Sequence, residues 1–250
     1  MNVPLWPFAG ALGAAVGSFL NVVADRVPAG ESIVRPASRC PHCHRQLKPM
    51  ELIPVVSYLA LRGRCRSCGE GIPLRVLVVE LGTAGFFTLA WLRFGASVQS
   101  LLVAVFGSFF FVFFVTDLEH GIIPNRLVFP AIILALLTAP FNPTGEWFNP
   151  LIGGLLAFGA LFAIAALSPR GMGMGDVKLG AFMGLALGFP KIVPALLLAF
   201  IGGGLIVGAL WLTGAVKRND SVPFGPYLST MSLVFLLYGD TFVSWWLTRL

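Results

Sequence analysis

Eight long apolar segments, joined by polar connections, constrain the fold of this chain more than any other feature of its sequence. A helix needs roughly 20 apolar residues to cross a bilayer, and fewer are enough where neighbouring helices shelter it. Only 11% of the residues are charged, against about a quarter in soluble domains. The sequence therefore predicts an all-α polytopic membrane protein with about eight transmembrane helices. The predicted spans cover about 4–24, 74–92, 98–116, 123–140, 150–168, 177–190, 192–213 and 228–247.

The polar insert between the first two spans defines the predicted domain organisation. Residues 1–24 form the first transmembrane helix, which lacks a basic residue before Arg26 and is expected to be retained. Residues 25–73 form a small cytoplasmic metal-binding insert, and residues 74–250 form a seven-helix membrane core.

The basic residues are distributed asymmetrically across these spans. All but three of the 17 Lys and Arg residues lie in or beside the insert, or in connections on the same side of the membrane; the exceptions are Arg93, Lys191 and Arg249. Positive charge accumulates on the cytoplasmic side, so the insert is predicted to be cytoplasmic and both termini to lie outside. The net charge of +6 then reflects topology and contact with the lipid bilayer, and we expect no nucleic-acid partner.

Small residues recur at helical spacing within several spans. Gly180, Gly184 and Gly188 fall four residues apart, as do Gly204 and Gly208. Glycines on one helical face let helices approach closely in lipid, so both sets are predicted to serve helix packing.

Four cysteines in the insert form two CxxC pairs, Cys40–Cys43 and Cys65–Cys68, separated by 21 residues. Two such pairs suit a single tetrahedral Zn²⁺ held by four thiolates. The alternatives are two disulfides or four unused thiols, and a reducing cytoplasm disfavours disulfides. A closed four-thiolate site is structural, so the metal is expected to fold the insert. His42 and His44 are spare candidate ligands.

Two aspartates end or begin apolar segments on the predicted cytoplasmic side. Asp117 ends a strong span, and Gly121 and Pro124 then break the helix; Asp176 follows Gly173 and begins another span. Two close carboxylates in a low-dielectric site share one proton, so one acts as a base on water while the other donates to the scissile carbonyl. This pair therefore predicts aspartic-protease chemistry. The alternatives are a helix cap for Asp176 and an ion pair with Arg126 or Lys178 for Asp117.

Four further residues are candidate substrate-binding or site-shaping positions. Gly173 and Gly175 lack side chains and would let a substrate backbone approach closely. Lys178 could contact substrate or anchor the helix at the membrane surface. Glu80 lies inside the second span and would either tune the site electrostatically or hydrogen-bond a neighbouring helix.

These residues together resemble the bacterial type IV prepilin peptidases, membrane aspartic proteases of the GxGD type. The most specific element is Asp117-Leu-Glu followed by a GxGD sequence, behind a tetracysteine insert. The resemblance covers nearly the whole chain. It runs through Gly17-Ser-Phe-Leu-Asn21, Cys40-Pro-His-Cys43, Cys65-Arg-Ser-Cys68, Asp117-Leu-Glu-His-Gly-Ile-Ile-Pro-Asn125, Gly173-Met-Gly-Asp176-Val-Lys-Leu179 and Pro223-Phe-Gly-Pro226.

The resemblance implies an enzyme of the bacterial inner membrane with periplasmic termini. It implies cleavage, after a Gly and on the cytoplasmic side, of the basic leader of type IV prepilins and type II secretion pseudopilins. Asp117 and Asp176 match the catalytic pair. Members with the cysteine insert also methylate the new N-terminus with S-adenosylmethionine, whose contacts the sequence does not assign.

Two other functions remain open from the sequence. The chain could be a peptidase without methyltransferase activity. It could also be a transporter that uses Asp117, Asp176 and Glu80 as a proton or cation relay, which would require acids distributed across the bilayer.

Overall fold

The computed structural model describes residues 5–141, 147–167, 171–215 and 222–249, and this part of the chain is helical without β-strands. Within it, the helices are α1 (Trp6–Arg26), α2 (Val56–Ala60), α3 (Leu74–Phe94), α4 (Val98–His120), α5 (Asn125–Thr138), α6 (Phe148–Leu167), α7 (Met174–Leu187), α8 (Ile192–Leu212) and α9 (Gly225–Leu247).

Each predicted span corresponds to one of these helices other than the five-residue α2. Five of them, α1, α3, α4, α6 and α8, are long and apolar enough individually to cross a membrane. Large apolar side chains such as Leu155 on α6 and Leu205 on α8 are exposed at the helix surface, where lipid would cover them. The chain is a multi-pass helical membrane protein.

Helix α7 is short but strongly sheltered. Its 14 residues extend about 21 Å, less than the roughly 30 Å of a bilayer core. Eight of its residues are buried, and the side chains of Val177, Leu179 and Phe182 are fully buried. The surrounding helices therefore supply the cover that a short apolar helix needs.

The chain divides into two compact units, residues 1–112 and 113–250, so that α4 contributes to both. This division cuts across the membrane core predicted for residues 74–250, whose extent stays a prediction.

The first unit is held together by glycines of α1 that face α3. A Cβ on Gly13 would lie 2.6 Å from the Thr83 carbonyl oxygen, and one on Gly17 would lie 2.9 Å from Glu80 Cα. The two helices therefore pack backbone to backbone at these positions, as small residues in membrane helices allow.

The second unit is arranged around α7. A Cβ on Gly184 would collide with the backbone of Gly153 on α6, and one on Gly180 would collide with the Leu161 side chain. The packing predicted for these two glycines is confirmed. Gly188 instead ends α7, with a φ of +72°.

The packing predicted for Gly204 and Gly208 is wrong within the described residues. A Cβ at either position would meet no atom within 4 Å. Periodic spacing shows that two glycines share a helical face, but not which way that face points.

Candidate active site and metal centre

Asp117 lies in the last turn of α4, and its side chain is buried, with the residue only 5% exposed. Gly121 ends the helix with a φ of +63°, and its N–H donates to the Asp117 carbonyl at 2.9 Å. Glycine adopts this left-handed conformation without steric cost. The predicted break at Gly121 and Pro124 is confirmed, because α5 begins only at Asn125.

The carboxylate of Asp117 is held by the start of α9. The Gly225 N–H donates to Asp117 Oδ2 at 2.8 Å in a buried hydrogen bond. The first amides of a helix have no partner within the helix and favour an anion. A Cβ on Gly225 would lie 2.6 Å from Oδ2, so only glycine permits this approach.

No sequence signal assigned Gly225 to the candidate active site. The available signal was the Gly-Pro pair in Pro223-Phe-Gly-Pro226, which suits the beginning of a helix. Nothing local identified the partner, which lies 108 residues earlier.

Asp176 lies in the first turn of α7 and is half-buried. The N-cap of this helix is Gly173, whose carbonyl accepts the Asp176 N–H at 3.1 Å. The alternative that Asp176 itself caps the helix is therefore wrong. Asp176 is the third residue after the cap, and its carboxylate lies back over the beginning of the helix, where a Cβ on Gly173 would be 3.6 Å from its Oδ2.

The two aspartates are close enough for Asp117 to act electrostatically on Asp176. Among the described residues, no Lys or Arg forms an ion pair with either carboxylate. The ion pair considered for Asp117 with Arg126 or Lys178 is thus not formed. Two carboxyl groups that interact in this way, one buried and one partly accessible, can share a proton.

The other candidates around this site have identifiable contacts. Gly173 is exposed, and its extended backbone begins α7. A Cβ on Gly175 would lie 3.4 Å from Ile123, so this glycine lies directly against the connection after α4. Lys178 Nζ donates to Asn125 Oδ1 at 2.8 Å and lies 5.3 Å from the Phe129 ring centroid. Lys178 therefore ties the beginnings of α7 and α5 together.

Glu80 lies on α3 in the first unit and is buried. Its Oε2 accepts the backbone N–H of Val55, just before α2, at 2.6 Å. The bond thus reaches the insert, whereas a neighbouring membrane helix was the expected partner. Val55 has a φ of +63°, which is rare for a β-branched residue, and Glu80 holds it there.

The four cysteines converge on one point in the insert. Their Sγ atoms all lie within 4.8 Å of one another, with 3.8 Å between Cys40 and Cys68 and 4.0 Å between Cys43 and Cys65. A disulfide requires about 2.05 Å between sulfurs, so the disulfide alternative does not apply. A tetrahedron of sulfurs about 2.3 Å from Zn²⁺ has edges of about 3.8 Å, which fits these distances.

Each CxxC pair lies in a similar turn. The N–H of Cys40 donates to the Arg45 carbonyl, and the N–H of Cys65 donates to the Glu70 carbonyl. Four residues after the first cysteine of each pair, His44 and Gly69 both adopt positive φ. The insert thus contains two equivalent turns that face one another across the sulfurs.

One sulfur of the cluster lies in surroundings that favour its thiolate form. Hydrogen bonds from the backbone N–H groups of Cys68 and Ser67 lower the pKa of the Cys65 thiol to about 6, which favours the thiolate that binds metals. His42 Nε2 lies 3.8 Å from Glu70 Oε1, and both side chains are exposed. Neither histidine belongs to the cysteine cluster, which can hold a metal ion.

Two family models match the chain. The bacterial peptidase A24 N-terminal domain matches residues 11–94, which contain the four cysteines. The type IV leader peptidase family matches residues 104–208, which contain both aspartates. No solved structure matches the chain significantly.

Several curated relatives are similar over nearly their whole length, and each is named prepilin leader peptidase/N-methyltransferase. The relative from Bacillus subtilis is 35% identical over 94% of this chain and 95% of its own. Those from Pseudomonas aeruginosa and Stutzerimonas stutzeri are 34% and 32% identical, each over 92% of this chain and 89% of their own. With both halves matched and the two candidate centres in place, the chain belongs to the type IV leader peptidase family.

Proposed function

We propose that this chain is a prepilin leader peptidase and N-methyltransferase in which Asp117 and Asp176 form the catalytic pair. It cleaves the basic leader of type IV prepilins and pseudopilins after a Gly and then methylates the new N-terminus. The observation that carries the peptidase assignment is the proximity of a buried, amide-bound Asp117 to a half-accessible Asp176.

The proposed peptide cleavage depends on the different environments of the two carboxyl groups. One carboxylate removes a proton from a water held between the pair, and the water oxygen attacks the scissile carbonyl carbon. The other carboxyl group protonates the carbonyl oxygen, so the pair holds one proton before and after this step. Because the two groups titrate together, the acid and base roles belong to the pair.

The second activity transfers a methyl group from S-adenosylmethionine to the amine that cleavage exposes. The sulfonium of this donor supplies an electrophilic methyl group, and the amine nitrogen attacks it after losing a proton. The thioether S-adenosylhomocysteine leaves. Cleavage must precede methylation, because the amine that is methylated does not exist before the leader is removed.

The tetracysteine cluster binds Zn²⁺ in this proposal and stabilises the insert. The closed set of four sulfurs leaves no open position for a reacting ligand, so the metal is structural. Metal analysis of the purified protein should find about one Zn²⁺ per chain; a different metal, or none, would contradict the assignment.

The protein lies in the bacterial inner membrane, with the insert and the aspartates on the cytoplasmic side and both termini in the periplasm. The distribution of basic residues supports this orientation. An alkaline phosphatase reporter should be active when fused after Gly95 and inactive when fused after Gly121, and the reverse result would invert the topology.

The peptidase assignment is tested by changing each aspartate to Asn. Full-length purified protein is mixed with a prepilin that carries a Gly-Phe junction, and cleavage is followed with time. Asp117→Asn and Asp176→Asn should each lower the rate by roughly a thousandfold or more. Asp240→Asn is the matched control, because Asp240 pairs with Lys191 at an exposed position.

If either of these variants cleaved the prepilin at the wild-type rate, the assignment of Asp117 and Asp176 as the catalytic pair would be refuted. Repeating the assay with methyl-labelled S-adenosylmethionine tests the second activity separately. Cleavage without label on the mature N-terminus would reduce the function to that of a peptidase.

A further inference from the structure

A cavity of about 460 Å³ lies within the first unit, bounded by α1, α3 and the insert. Its walls include Asn21 on α1, Val76 and Glu80 on α3, Tyr58 on α2, and Cys40 and Cys65 of the metal cluster. This volume is in the range of pockets that hold small organic ligands. Neither the peptidase chemistry nor the structural metal uses this space.

Asn21, a residue of the cavity wall, carries a buried oxygen that has no hydrogen-bond partner among the described residues. Its Nδ2 donates to the Gly17 carbonyl at 3.1 Å and to the Val76 carbonyl at 3.2 Å. These two acceptors determine the orientation of the amide, because the reversed amide would place oxygen against oxygen. Oδ1 is then buried without a hydrogen-bond partner in the part of the chain that the structure describes, and Asn21 is only 5% exposed. Such an atom costs free energy unless a ligand donates to it.

Glu80 places a buried carboxylate on the same wall. It is 4% exposed, and its hydrogen bond from the Val55 amide carries no formal positive charge. Among the residues that the structure describes, no ion pair reaches it. Buried charges are normally paired with an opposite charge, so the cavity suits a cationic ligand.

The remaining walls suit a ligand with both aromatic and zwitterionic parts. Tyr58 contributes an aromatic ring, and its hydroxyl donates to the Ile72 carbonyl at 3.3 Å. Arg39 and Arg66 line the cavity from the insert and can meet a carboxylate. An aromatic base, a cation, N–H donors and a carboxylate are all present in S-adenosylmethionine.

We infer that this cavity is the S-adenosylmethionine site, with Asn21 Oδ1 accepting a ligand N–H and Glu80 offsetting the charge of the sulfonium. The inference rests on the methyltransferase half of the proposed function and adds the residues that hold the donor. It also places the donor beside the metal-supported insert. The metal would then maintain one wall of the cavity.

The first test asks whether the negative charge of Glu80 contributes to the binding of S-adenosylmethionine. Glu80→Gln keeps an oxygen that accepts the Val55 N–H but removes the negative charge. Binding of S-adenosylmethionine and of S-adenosylhomocysteine to full-length protein in detergent is measured by calorimetry. The variant should bind the cationic donor about tenfold more weakly, whereas affinity for the uncharged thioether product should change less than about threefold.

The second test removes the acceptor at Asn21. Asn21→Ala should weaken both ligands about tenfold, because the ligand N–H groups are common to the two compounds. Asp240→Asn, which removes a carboxylate outside the cavity, should leave both affinities at the wild-type values. Because Asn21 also links α1 to α3, the melting temperature of each variant is recorded. The Glu80 result stands even if the Asn21 variant does not fold.

The outcomes separate the inference from the proposed function. If the wild-type protein methylates and binds the donor while Glu80→Gln binds both ligands normally, the cavity assignment fails and the methyltransferase stands. Equal weakening of both ligands by Glu80→Gln would overturn the sulfonium role. If the wild-type protein neither binds the donor nor methylates, the methyltransferase half of the proposed function fails with it.

Discussion

Asp117 takes its position from a backbone amide that no side-chain pattern in the sequence reveals. The Gly225 N–H binds one oxygen of its carboxylate, and the absence of a Cβ at Gly225 makes the approach possible. Among the described residues, this is the hydrogen bond that the Asp117 carboxylate receives. At the scale of single residues, a glycine thus acts as a positioning residue for an aspartate of the proposed catalytic pair.

We expect Gly225→Ala to lower peptidase activity by about a hundredfold, since a displacement of about 1 Å in a reacting group has this effect. The added Cβ would lie 2.6 Å from Asp117 Oδ2 and push the carboxylate away. The loss should appear in kcat more than in KM, because the carboxylate takes part in the chemical step. Prepilin cleavage rates measure both.

Gly204→Ala is the matched control for this prediction. A Cβ there meets no atom of the described residues within 4 Å, so the variant should cleave at the wild-type rate. Unchanged kcat in Gly225→Ala would show that the hydrogen bond does not position Asp117.

At the scale of elements, α7 shows how a short helix can lie among longer ones in a membrane protein. Its glycines bring α6 to backbone contact, and Phe182 packs edge-to-face on Phe113 of α4 with ring centroids 6.0 Å apart. This packing orients the first turn that carries Asp176. The helix therefore serves as the support of the proposed active site as well as part of the core.

The α6–α7 contact should be sensitive to a single methyl group. Gly184→Ala would place a Cβ against the Gly153 carbonyl, and two helix backbones would have to separate. Overpacking of this kind costs about 1–3 kcal/mol, so the melting temperature in detergent should fall by roughly 2–10 °C.

Gly159→Ala on α6 provides the comparison, because a Cβ at that position meets nothing within 4 Å. It should leave the melting temperature unchanged or slightly higher, given the better helix propensity of alanine. Equal melting temperatures for Gly184→Ala and Gly159→Ala would argue against close packing of α6 on α7.

At the scale of the whole molecule, the insert depends on its metal. Its residues have little buried apolar core of their own, and the four sulfurs hold the two turns together. Structural Zn²⁺ in small domains contributes about 10–16 kcal/mol of apparent binding free energy, which becomes folding free energy.

Changing all four cysteines to Ser should abolish stoichiometric Zn²⁺ and make residues 36–73 sensitive to limited proteolysis. Metal analysis and mapping of the cleavage sites measure the two effects. His42→Gln should retain both the metal and the resistance, because His42 is exposed, pairs with Glu70 and does not belong to the cysteine cluster. Retained Zn²⁺ in the four-Ser variant would refute the ligand set.

The sequence by itself determined the helices, the cysteine cluster and the two aspartates. Apolar segments of membrane length, the CxxC spacing and helix-breaking residues such as Gly121 are local signals, because each is contained in one continuous stretch of the sequence. Lys178 shows the limit of such signals, since its charge suggested a substrate contact or an anchor at the membrane surface, while its partners in the structure are Asn125 and Phe129.

Only the tertiary structure determined which residues that are distant in the sequence contact one another. The Gly225 amide reaches Asp117 over 108 residues, and Asn21 donates to Val76 over 55. It also decided that Gly184 packs while Gly204 faces open space. The physical reason is that helical periodicity determines which residues share a face, whereas the rotation and register of packed helices determine what that face contacts.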